Sequence, residues 1–192
     1  DDLKKAVLNS EIIFLSLPTP QGGDGAADLK YVMSVAEEIG QILSSNKIED
    51  YKIIVNKSTV PVGTGDKVEA IIKKYGINNF EVVSNPEFLR EGFAVEDFMK
   101  PDRIVIGTDS EKAREKLNEL YEPFVRQGNP IIFMDRLSSE LTKYAANSYL
   151  ATRITFMNDL ANFCEKVGAN IDMVRKGMST DTRIGKRFLF PG

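Results

Sequence analysis

Phe-Glu-Val-Val-Ser-Asn-Pro-Glu-Phe-Leu-Arg-Glu-Gly, residues 80–92, joins an apolar run to a polar turn that contains a proline. The apolar run at 80–83 has the length of a buried strand, and Asn85-Pro86 ends it. In an open α/β sheet, the carboxyl ends of the strands form the edge at which ligands bind. Taken alone, the turn also fits a plain strand-to-helix connection in which Glu87 only caps the next helix. The rest of the chain decides between these interpretations.

Apolar strands and amphipathic helices alternate on both sides of this stretch. Further strands are predicted at 11–17, 51–55, 103–107 and 130–134, because runs without alternation are typical of strands buried on both faces. The pattern predicts an α/β fold, a doubly wound parallel sheet with helices on both faces. We expect residues 1–135 to form one domain. The helices are predicted at 28–43 behind Asp28 as N-cap, from Thr64 or Asp66 to 76, at 91–99, and at 111–126 with its cap within 108–110.

A different pattern begins after Asp135. Residues 137–167 contain neither Pro nor Gly, which predicts one long helix of about 46 Å at 1.5 Å per residue. Ser138 or Ser139 is the expected N-cap, and Gly168 occupies the position that follows a helix end. We expect residues 136–192 to begin a second, all-α domain. The inward stripe of the helix is predicted to contain Leu150, Ile154, Met157, Ala161 and Cys164, and its backward extension reaches Asn147 and Lys143.

The composition excludes several classes of function. Lys plus Arg number 25 and Asp plus Glu 28, a net charge of -3 that gives no indication of a nucleic-acid partner. The sequence has no histidine and one cysteine, so no metal site is predicted and an internal disulfide is excluded. One cysteine and the lack of a long apolar run lead us to expect a cytoplasmic protein without membrane contact.

The usual opening of a dinucleotide-binding domain does not occur in this sequence. Such domains begin with a strand, a GxGxxG turn and a helix, with an acidic residue about 20 positions further on. Gly22-Gly23-Asp24-Gly25 follows a strand, but its spacing differs and a proline precedes it. The chain also starts within a predicted helix. We therefore expect a fragment whose sheet is incomplete.

Six motifs fall at successive strand ends, at the start of the long helix and at the end of the chain. Together and in this order they resemble the nucleotide-sugar 6-dehydrogenases of the UDP-glucose/GDP-mannose dehydrogenase family, and most of all the members that act on UDP-glucose. The resemblance covers nearly the whole chain. The motifs are Ser-Leu-Pro-Thr-Pro (16–20), Asn-Lys-Ser-Thr-Val-Pro-Val-Gly (56–63), Asn-Pro-Glu-Phe-Leu-Arg-Glu-Gly (85–92), Pro-Asp-Arg-Ile-Val-Ile-Gly (101–107), Glu-Leu-Thr-Lys-Tyr-Ala-Ala-Asn (140–147), and Arg-Ile-Gly with Phe-Leu-Phe-Pro-Gly (183–192).

The resemblance implies a Rossmann-like NAD-binding domain, a central dimerisation domain, and a homodimer formed through helix 137–167. It implies NAD as cofactor and the four-electron oxidation of UDP-glucose to UDP-glucuronate, in which a cysteine captures an aldehyde and then carries a thioester. In the family that cysteine follows the Phe-Leu-x-Pro-Gly segment, and so falls beyond Gly192. We therefore expect the 192 residues alone to be inactive. Cys164 is expected to be a core residue.

Residue by residue, the resemblance assigns roles to the motifs. Glu87 corresponds to a carboxylate that assists proton transfer and thioester hydrolysis, and Lys143 to a lysine that stabilises the developing oxyanion. Asn147 corresponds to its hydrogen-bonding partner near the sugar. Thr59 corresponds to a catalytic threonine near the nicotinamide, and Thr19 and Glu91 to cofactor contacts. Substrate contacts are implied for Glu87, Phe88, Leu89, Arg90, Glu91, Lys143, Asn147 and Arg183, and for the tail Phe188, Leu189, Phe190, Pro191 and Gly192.

Physical chemistry agrees with two of these roles and offers plainer alternatives for others. Lys143 and Asn147 are i and i+4 residues and share one helix face. A cation beside a forming alkoxide stabilises it more strongly once water is excluded. The alternatives are that Thr59 only ends a strand, that Lys143 extends from a solvated helix end, and that Arg183 lies in a solvated loop.

Three other functions compete with the UDP-glucose assignment. A sibling enzyme acting on UDP-N-acetylmannosamine or GDP-mannose would have the same motifs. A more distant 2-hydroxyacid or 6-phosphogluconate dehydrogenase would have the sheet and the long helix without residues 85–92. A non-catalytic helical dimerisation module would use the long helix and its small residues alone.

Overall fold

Five strands and seven helices alternate along residues 2–23, 25–125 and 128–190, the parts of the chain that this computed structural model describes. The strands are β1 (Ile12–Leu15), β2 (Lys52–Asn56), β3 (Phe80–Ser84), β4 (Ile104–Gly107) and β5 (Ile131–Met134). The helices are α1 (Leu3–Asn9), α2 (Lys30–Ser45), α3 (Thr64–Lys73), α4 (Ala94–Met99), α5 (Glu111–Tyr121), α6 (Arg136–Val167) and α7 (Ile171–Ser179). A 3₁₀ turn, Glu122–Phe124, follows α5.

The chain divides into two compact units, Asp1–Lys143 and Tyr144–Gly192. Helix α6 contributes its first turns, including Lys143, to the first unit and its remainder to the second. The domain boundary expected between 135 and 136 stays a prediction, since the compact units separate a little further along the same helix.

The predicted α/β fold is confirmed, with one feature that the sequence pattern does not indicate. The strands lie in the order β1-β2-β3-β4-β5, and every neighbouring pair is parallel except β3 and β4. Those two are antiparallel and overlap at one pair, Ser84 opposite Gly107. The connection contains only the six-residue α4, about 9 Å of helix, which is too short to return along the sheet. The chain therefore enters β4 from the edge at which it leaves β3.

Both faces of the central strands β2, β3 and β4 are buried, which explains their continuous apolar runs. Neighbouring residues of a strand point to opposite faces. Ile54 packs on one face, beneath α2 and α3, while Ile53 and Val55 pack on the other, beneath α5. On the α5 side, the helix contributes Ala113, Leu117 and Tyr121.

Some predicted helix ends are confirmed and others were wrong. The cap of α5, predicted within 108–110, is Ser110, whose Oγ accepts the backbone N–H of Ala113 at 3.3 Å. The Asp28 carboxylate binds the N–H of Lys30 at 3.0 Å, although the residue before α2 is Leu29. The cap of α6 is the Asp135 carboxylate, 2.8 Å from the N–H of Ser138, because the helix already begins at Arg136.

The second unit consists of most of α6, then α7 and the tail. Met157 and Cys164 are buried at 0% and 3% exposure, so the prediction that Cys164 is a core residue is confirmed. Gly168 adopts a φ of 75°, which ends α6 in the left-handed region as predicted. The guanidinium of Arg153 donates to the carbonyl oxygen of Ile184 at 2.9 Å and connects the tail to the helix.

Within the described ranges, no helix is both long enough and apolar enough to cross a bilayer, and this includes the long α6.

Candidate active site

Helix α6 begins in close contact with the carboxyl ends of β3 and β4. A Cβ atom at Gly107 would lie 2.5 Å from Ser139 Cβ and 2.8 Å from Arg136 Cα, so only glycine permits this approach. Ser139 Oγ lies 3.0 Å from Ser84 Oγ at the end of β3. Ser139 is therefore a packing contact of the helix rather than its N-cap. The contact places the next turn of α6, with Lys143, beside the carboxyl ends of the parallel strands β1, β2 and β3, which form the carboxyl edge of the sheet.

Glu87 and Lys143, two of the predicted catalytic residues, form an ion pair at this edge. Lys143 Nζ lies 3.1 Å from Glu87 Oε1, and Lys143 is only 5% exposed. The other carboxylate oxygen, Oε2, accepts the N–H of Leu89 at 2.6 Å. The Lys143 ammonium also lies 5.4 Å from the centre of the Phe88 ring. A carboxylate held in this way can accept a proton, and the ammonium beside it can stabilise a negative oxygen.

Asn85, the buried residue before the proline, holds the turn that carries Glu87. Its backbone N–H donates to Asn56 O at 2.9 Å, and its side-chain amide donates to Val105 O at 2.8 Å. Its side-chain oxygen accepts hydrogen bonds from the Tyr121 hydroxyl at 2.5 Å and from Lys57 Nζ at 3.2 Å. Through its backbone N–H and its side-chain amide, Asn85 thus connects the turn to β2, β4 and α5.

We expect Asn85→Ala to lower the free energy of unfolding by about 2–3 kcal/mol, because two buried donors and one carbonyl lose their partner. Urea unfolding of this chain, followed by circular dichroism, measures the change. The matched control is Asn79→Ala, at the other end of β3, whose exposed amide makes one bond to Glu49 O at 2.6 Å. Equal losses in the two variants would show that Asn85 does not hold the turn.

The loops after β1 and β2 are joined to each other at the same edge. Ser58 Oγ accepts the N–H of Leu17 at 2.8 Å and donates to Leu17 O at 2.7 Å. Thr19 Oγ1 donates to the carbonyl oxygen of Thr59 at 3.0 Å. The structure thus brings the predicted residues Thr19 and Thr59 together, both partly buried.

Glu140 fills the N-terminus of α3, which an anionic ligand could otherwise occupy. Its two oxygens accept the backbone N–H groups of Gly63 at 2.6 Å and Gly65 at 2.8 Å. Gly63 has a φ of 87°, a conformation that favours glycine. Arg136, one turn earlier on α6, pairs with Asp66 and Glu69 of α3. These contacts fix the start of α6, and with it Lys143.

Other predicted residues of the first unit lie around the ion pair. Arg90 pairs with Asp97 of α4, with Nη2 2.6 Å from Oδ1. The Phe88 ring lies 4.0 Å from the guanidinium of Arg103. Leu89 contributes the backbone N–H that binds Glu87. Glu91 is exposed, and no hydrogen bond between it and Thr19 or Thr59 occurs among the described residues. Their assigned roles stay predictions.

The predicted residues of the second unit have varied surroundings. Asn147 is exposed on α6. Arg183 is exposed and pairs with Asp181 at 2.7 Å. The rings of Phe188 and Phe190 stack with their centres 6.1 Å apart, while Leu189, between them, is 4% exposed. Pro191 and Gly192 lie outside the described residues. These substrate contacts stay predictions.

Sequence reasoning missed Lys57, Asn85, Tyr121 and Glu140 as contributors to the site. Lys57 and Asn85 lie inside two of the recognised motifs, at the ends of adjacent strands. Tyr121 continues the buried stripe of α5, and a buried tyrosine hydroxyl needs a hydrogen-bond partner. Glu140 opens the motif at 140–147, but no local signal indicates its role, because its partners lie at the start of α3, more than seventy residues earlier.

Both units of the chain are similar to domains of one known protein family. Residues 1–125 match the NAD binding domain of the UDP-glucose/GDP-mannose dehydrogenase family, and residues 137–192 match the central domain of the same family. The first match confirms NAD as the cofactor. A UDP-glucose 6-dehydrogenase of Rhizobium meliloti is 50% identical over 196 aligned residues, covering 100% of this chain and 44% of that protein.

Two solved structures have the same fold as this chain and are more than 30% identical to it in sequence. A UDP-glucose dehydrogenase from Pyrobaculum islandicum has a TM-score of 0.92 and 36% identity, covering 100% of this chain and 44% of its own. A GDP-mannose dehydrogenase from Pseudomonas aeruginosa, solved as a ternary complex, has a TM-score of 0.87 and 33% identity, covering 94% of this chain and 41% of its own. The chain thus spans less than half the length of these relatives. With two family domains matched over most of its length, this chain belongs to the UDP-glucose/GDP-mannose dehydrogenase family.

Proposed function

We propose that the protein formed with this chain oxidises UDP-glucose to UDP-glucuronate, with NAD as the hydride acceptor in two successive steps. The observation that carries the proposal is the ion pair between the buried Lys143 and the partly buried Glu87 at the carboxyl edge of the sheet, 3.1 Å apart. Oxidation of a CH₂OH group to a carboxylate requires a base for the alcohol proton and a cation for the developing oxyanion. One residue of each kind is held here without histidine.

Each residue of the pair takes one part of this chemistry. Lys143 donates to the substrate oxygen and stabilises its negative charge, an effect that grows as water is excluded. Glu87 accepts protons and activates the water that releases the acid. The bond from the Leu89 N–H to Glu87 Oε2 fixes the carboxylate, so that its other oxygen faces Lys143. Asn147, four residues after Lys143, binds the sugar.

The residues at the ends of β1 and β2 fit NAD. Thr19 and Thr59 follow the carboxyl ends of the parallel strands β1 and β2, where dinucleotides bind, and the bond from the Thr19 hydroxyl to the Thr59 carbonyl oxygen holds the two loops together. The carboxylate of Glu140 already occupies the α3 N-terminus, so we assign the cofactor diphosphate to a different helix end. When bound, NAD supplies the hydride acceptor. Thr59 and Thr19 hold it against the edge, and Glu91 is assigned a contact from the turn after β3.

The names of the most similar curated relatives support UDP-glucose as the substrate, rather than another nucleotide sugar. Several curated relatives that are 44–50% identical carry the name UDP-glucose 6-dehydrogenase, among them proteins of Rhizobium meliloti and Bacillus subtilis. The solved GDP-mannose dehydrogenase is 33% identical. The sugar contacts are assigned to residues 87–91, Lys143, Asn147, Arg183 and the tail 188–192.

The cysteine that carries the thioester is assigned outside these 192 residues. Cys164 is 3% exposed within the second unit, so it is not available as a nucleophile. The proposal therefore predicts that the 192 residues alone form no NADH from UDP-glucose, while the complete protein does.

A substrate panel tests the proposal. The complete protein is supplied with NAD and, separately, with UDP-glucose, UDP-N-acetylmannosamine and GDP-mannose, and NADH formation is followed by its absorbance. The expected result is a kcat/KM for UDP-glucose at least about 100-fold above the other two, since a site that binds sugar hydroxyls discriminates strongly against altered ones. A preference for another sugar would move the assignment to that sibling. No NADH from any of the three would overturn it.

A homodimer formed through α6 is the second part of the proposal. Tyr149, Phe156 and Phe163 recur every seven residues on the helix and are exposed, at 62%, 52% and 59%. A groove between the two phenylalanines also carries Asp159 and Lys166. A second copy packed antiparallel would place an acid against a base across a two-fold axis, as isologous interfaces require.

We expect the double substitution Phe156→Asp and Phe163→Asp to raise the dimer dissociation constant about 100-fold or more, because buried aromatic anchors are each worth about 2 kcal/mol. Sedimentation velocity over a concentration series measures this. Tyr31→Asp on α2, where the ring is similarly exposed at 44%, is the control and should leave the mass unchanged. An unchanged dimer in the double variant would place the interface elsewhere.

A further inference from the structure

Lys57 places a second ammonium group at the carboxyl edge of the sheet, behind the turn that carries Glu87. Within the described part of the chain, its Nζ donates to a single acceptor, Asn85 Oδ1, at 3.2 Å. The rest of its surroundings are aromatic, since Nζ lies 6.0 Å from the ring centres of both Phe98 and Tyr121. Strand β2 and its continuation fix the Lys57 backbone, so the side chain crosses directly to β3.

The charges around Lys57 are those of the proposed site. Glu87 faces it from the turn after β3, Lys143 from α6, and the Tyr121 hydroxyl from α5, while α4 contributes the uncharged Phe98 ring. Burial lowers the pKa of Lys57 to about 8, the charge of Glu87 opposes this decrease, and the charge of Lys143 adds to it. Burial raises the pKa of Tyr121 far above its usual range, so Tyr121 stays neutral beside Lys57. Lys57 thus titrates near physiological pH.

We propose that Lys57 is a positioning residue for Glu87: its ammonium fixes the Asn85-Pro86-Glu87 turn through the Asn85 oxygen and places a second positive charge near the Glu87 carboxylate. This inference rests on the proposed function, and it goes further by making activity depend on the charge state of a residue that touches no substrate. When Lys57 is neutral, the turn loses a charged donor and the carboxylate loses a neighbouring cation.

The first test does not need activity. Because the pKa of Lys57 is lower in the folded chain than in the unfolded one, the native state binds fewer protons between about pH 8 and pH 10. Wild-type stability therefore rises with pH in this window relative to Lys57→Met. The ratio of unfolding constants, Lys57→Met over wild type, should rise about tenfold per pH unit there. A ratio that does not change with pH would show that Lys57 is not the buried cation described here.

The second test uses the complete protein and three variants. We expect Lys57→Met to lower kcat for UDP-glucose about 10-fold to 100-fold with KM within about threefold, as displacement of a catalytic group does. Wild-type kcat should fall as the pH rises through about 8, the pKa of Lys57, whereas Lys57→Arg should remain active to higher pH because arginine keeps its charge. Lys52→Met is the matched control: Lys52 is 4% exposed at the start of β2, the strand that Lys57 follows, and its Nζ donates to Leu8 O and Ser10 O at 3.3 and 2.7 Å.

The outcomes separate this inference from the proposed function. Lys52→Met should lose stability but keep the wild-type pH profile of kcat. If wild type and Lys57→Arg have the same profile, or Lys57→Met keeps full turnover, the positioning role is overturned while the enzyme assignment stands. A wild-type protein that is inactive on all three nucleotide sugars overturns both.

Discussion

Lys143→Met should lower kcat for UDP-glucose oxidation by about 10²–10³-fold, the loss seen when one oxyanion donor is removed from an enzyme site. The ammonium is buried at 5% exposure and lies 3.1 Å from Glu87, so nearby water cannot replace it well. Methionine keeps most of the side-chain volume and removes only the charge and the donors. KM for UDP-glucose should change much less than kcat, because the stabilised charge develops in the transition state.

The control for this prediction is Lys67→Met, which removes an exposed lysine from α3. Its kcat should equal that of wild type within about twofold, since surface substitutions have small effects. Circular dichroism and thermal unfolding check that both variants fold. A Lys143→Met enzyme that keeps turnover within fivefold of wild type would remove Lys143 from the chemistry and favour the purely structural interpretation of α6.

Glu140→Ala should lower the free energy of unfolding by about 3–4 kcal/mol, because hydrogen bonds to charged groups contribute about 1.5–3 kcal/mol each. The Gly63 and Gly65 N–H groups would lose their carboxylate at the start of α3. Glu140 is 2% exposed, so water does not simply take its place. Burial raises the pKa of Glu140, and the N–H groups of Gly65 and Gly63 oppose that increase because they bind the charged carboxylate. Urea unfolding of this chain measures the loss.

Two further variants test whether the lost stability comes from the hydrogen bonds of the Glu140 carboxylate. Glu140→Gln keeps one acceptor oxygen and should lose about half as much stability. Glu119→Ala removes an exposed carboxylate from α5 and should change stability by less than about 0.5 kcal/mol. If Glu140→Ala and Glu119→Ala lose equally little, the carboxylate does not anchor α6 to α3, and another contact must position Lys143.

The strands of the first unit were predictable because a strand that is buried on both faces appears in the sequence as a short continuous apolar run. Ile53 and Ile54 face opposite sides of the sheet, and both sides are covered, so the run has no alternation. The antiparallel step at Ser84 and Gly107 was not predictable from the same pattern. Strand direction depends on the length and path of the connection, and apolar periodicity carries no information about either.

Some residues of the candidate site were also predictable from the sequence, and others were not. Glu87 and Lys143 were found because each lies in a motif, and the structure brings them together through the contact of Ser139 with Ser84. Lys57 lies in another motif, but its importance depends on Asn85 and Tyr121, which surround it only in the folded chain. Long-range contacts between polar residues leave no periodic signal in a sequence.

The amount of NADH formed per UDP-glucose consumed tests the central claim most directly. With limiting UDP-glucose, excess NAD and the complete protein, the proposed four-electron oxidation predicts two NADH for each UDP-glucose, and UDP-glucuronate as the product. One NADH for each sugar, with an aldehyde as the final product, would contradict it. That result would leave the Glu87 and Lys143 pair as the site of a simple alcohol oxidation.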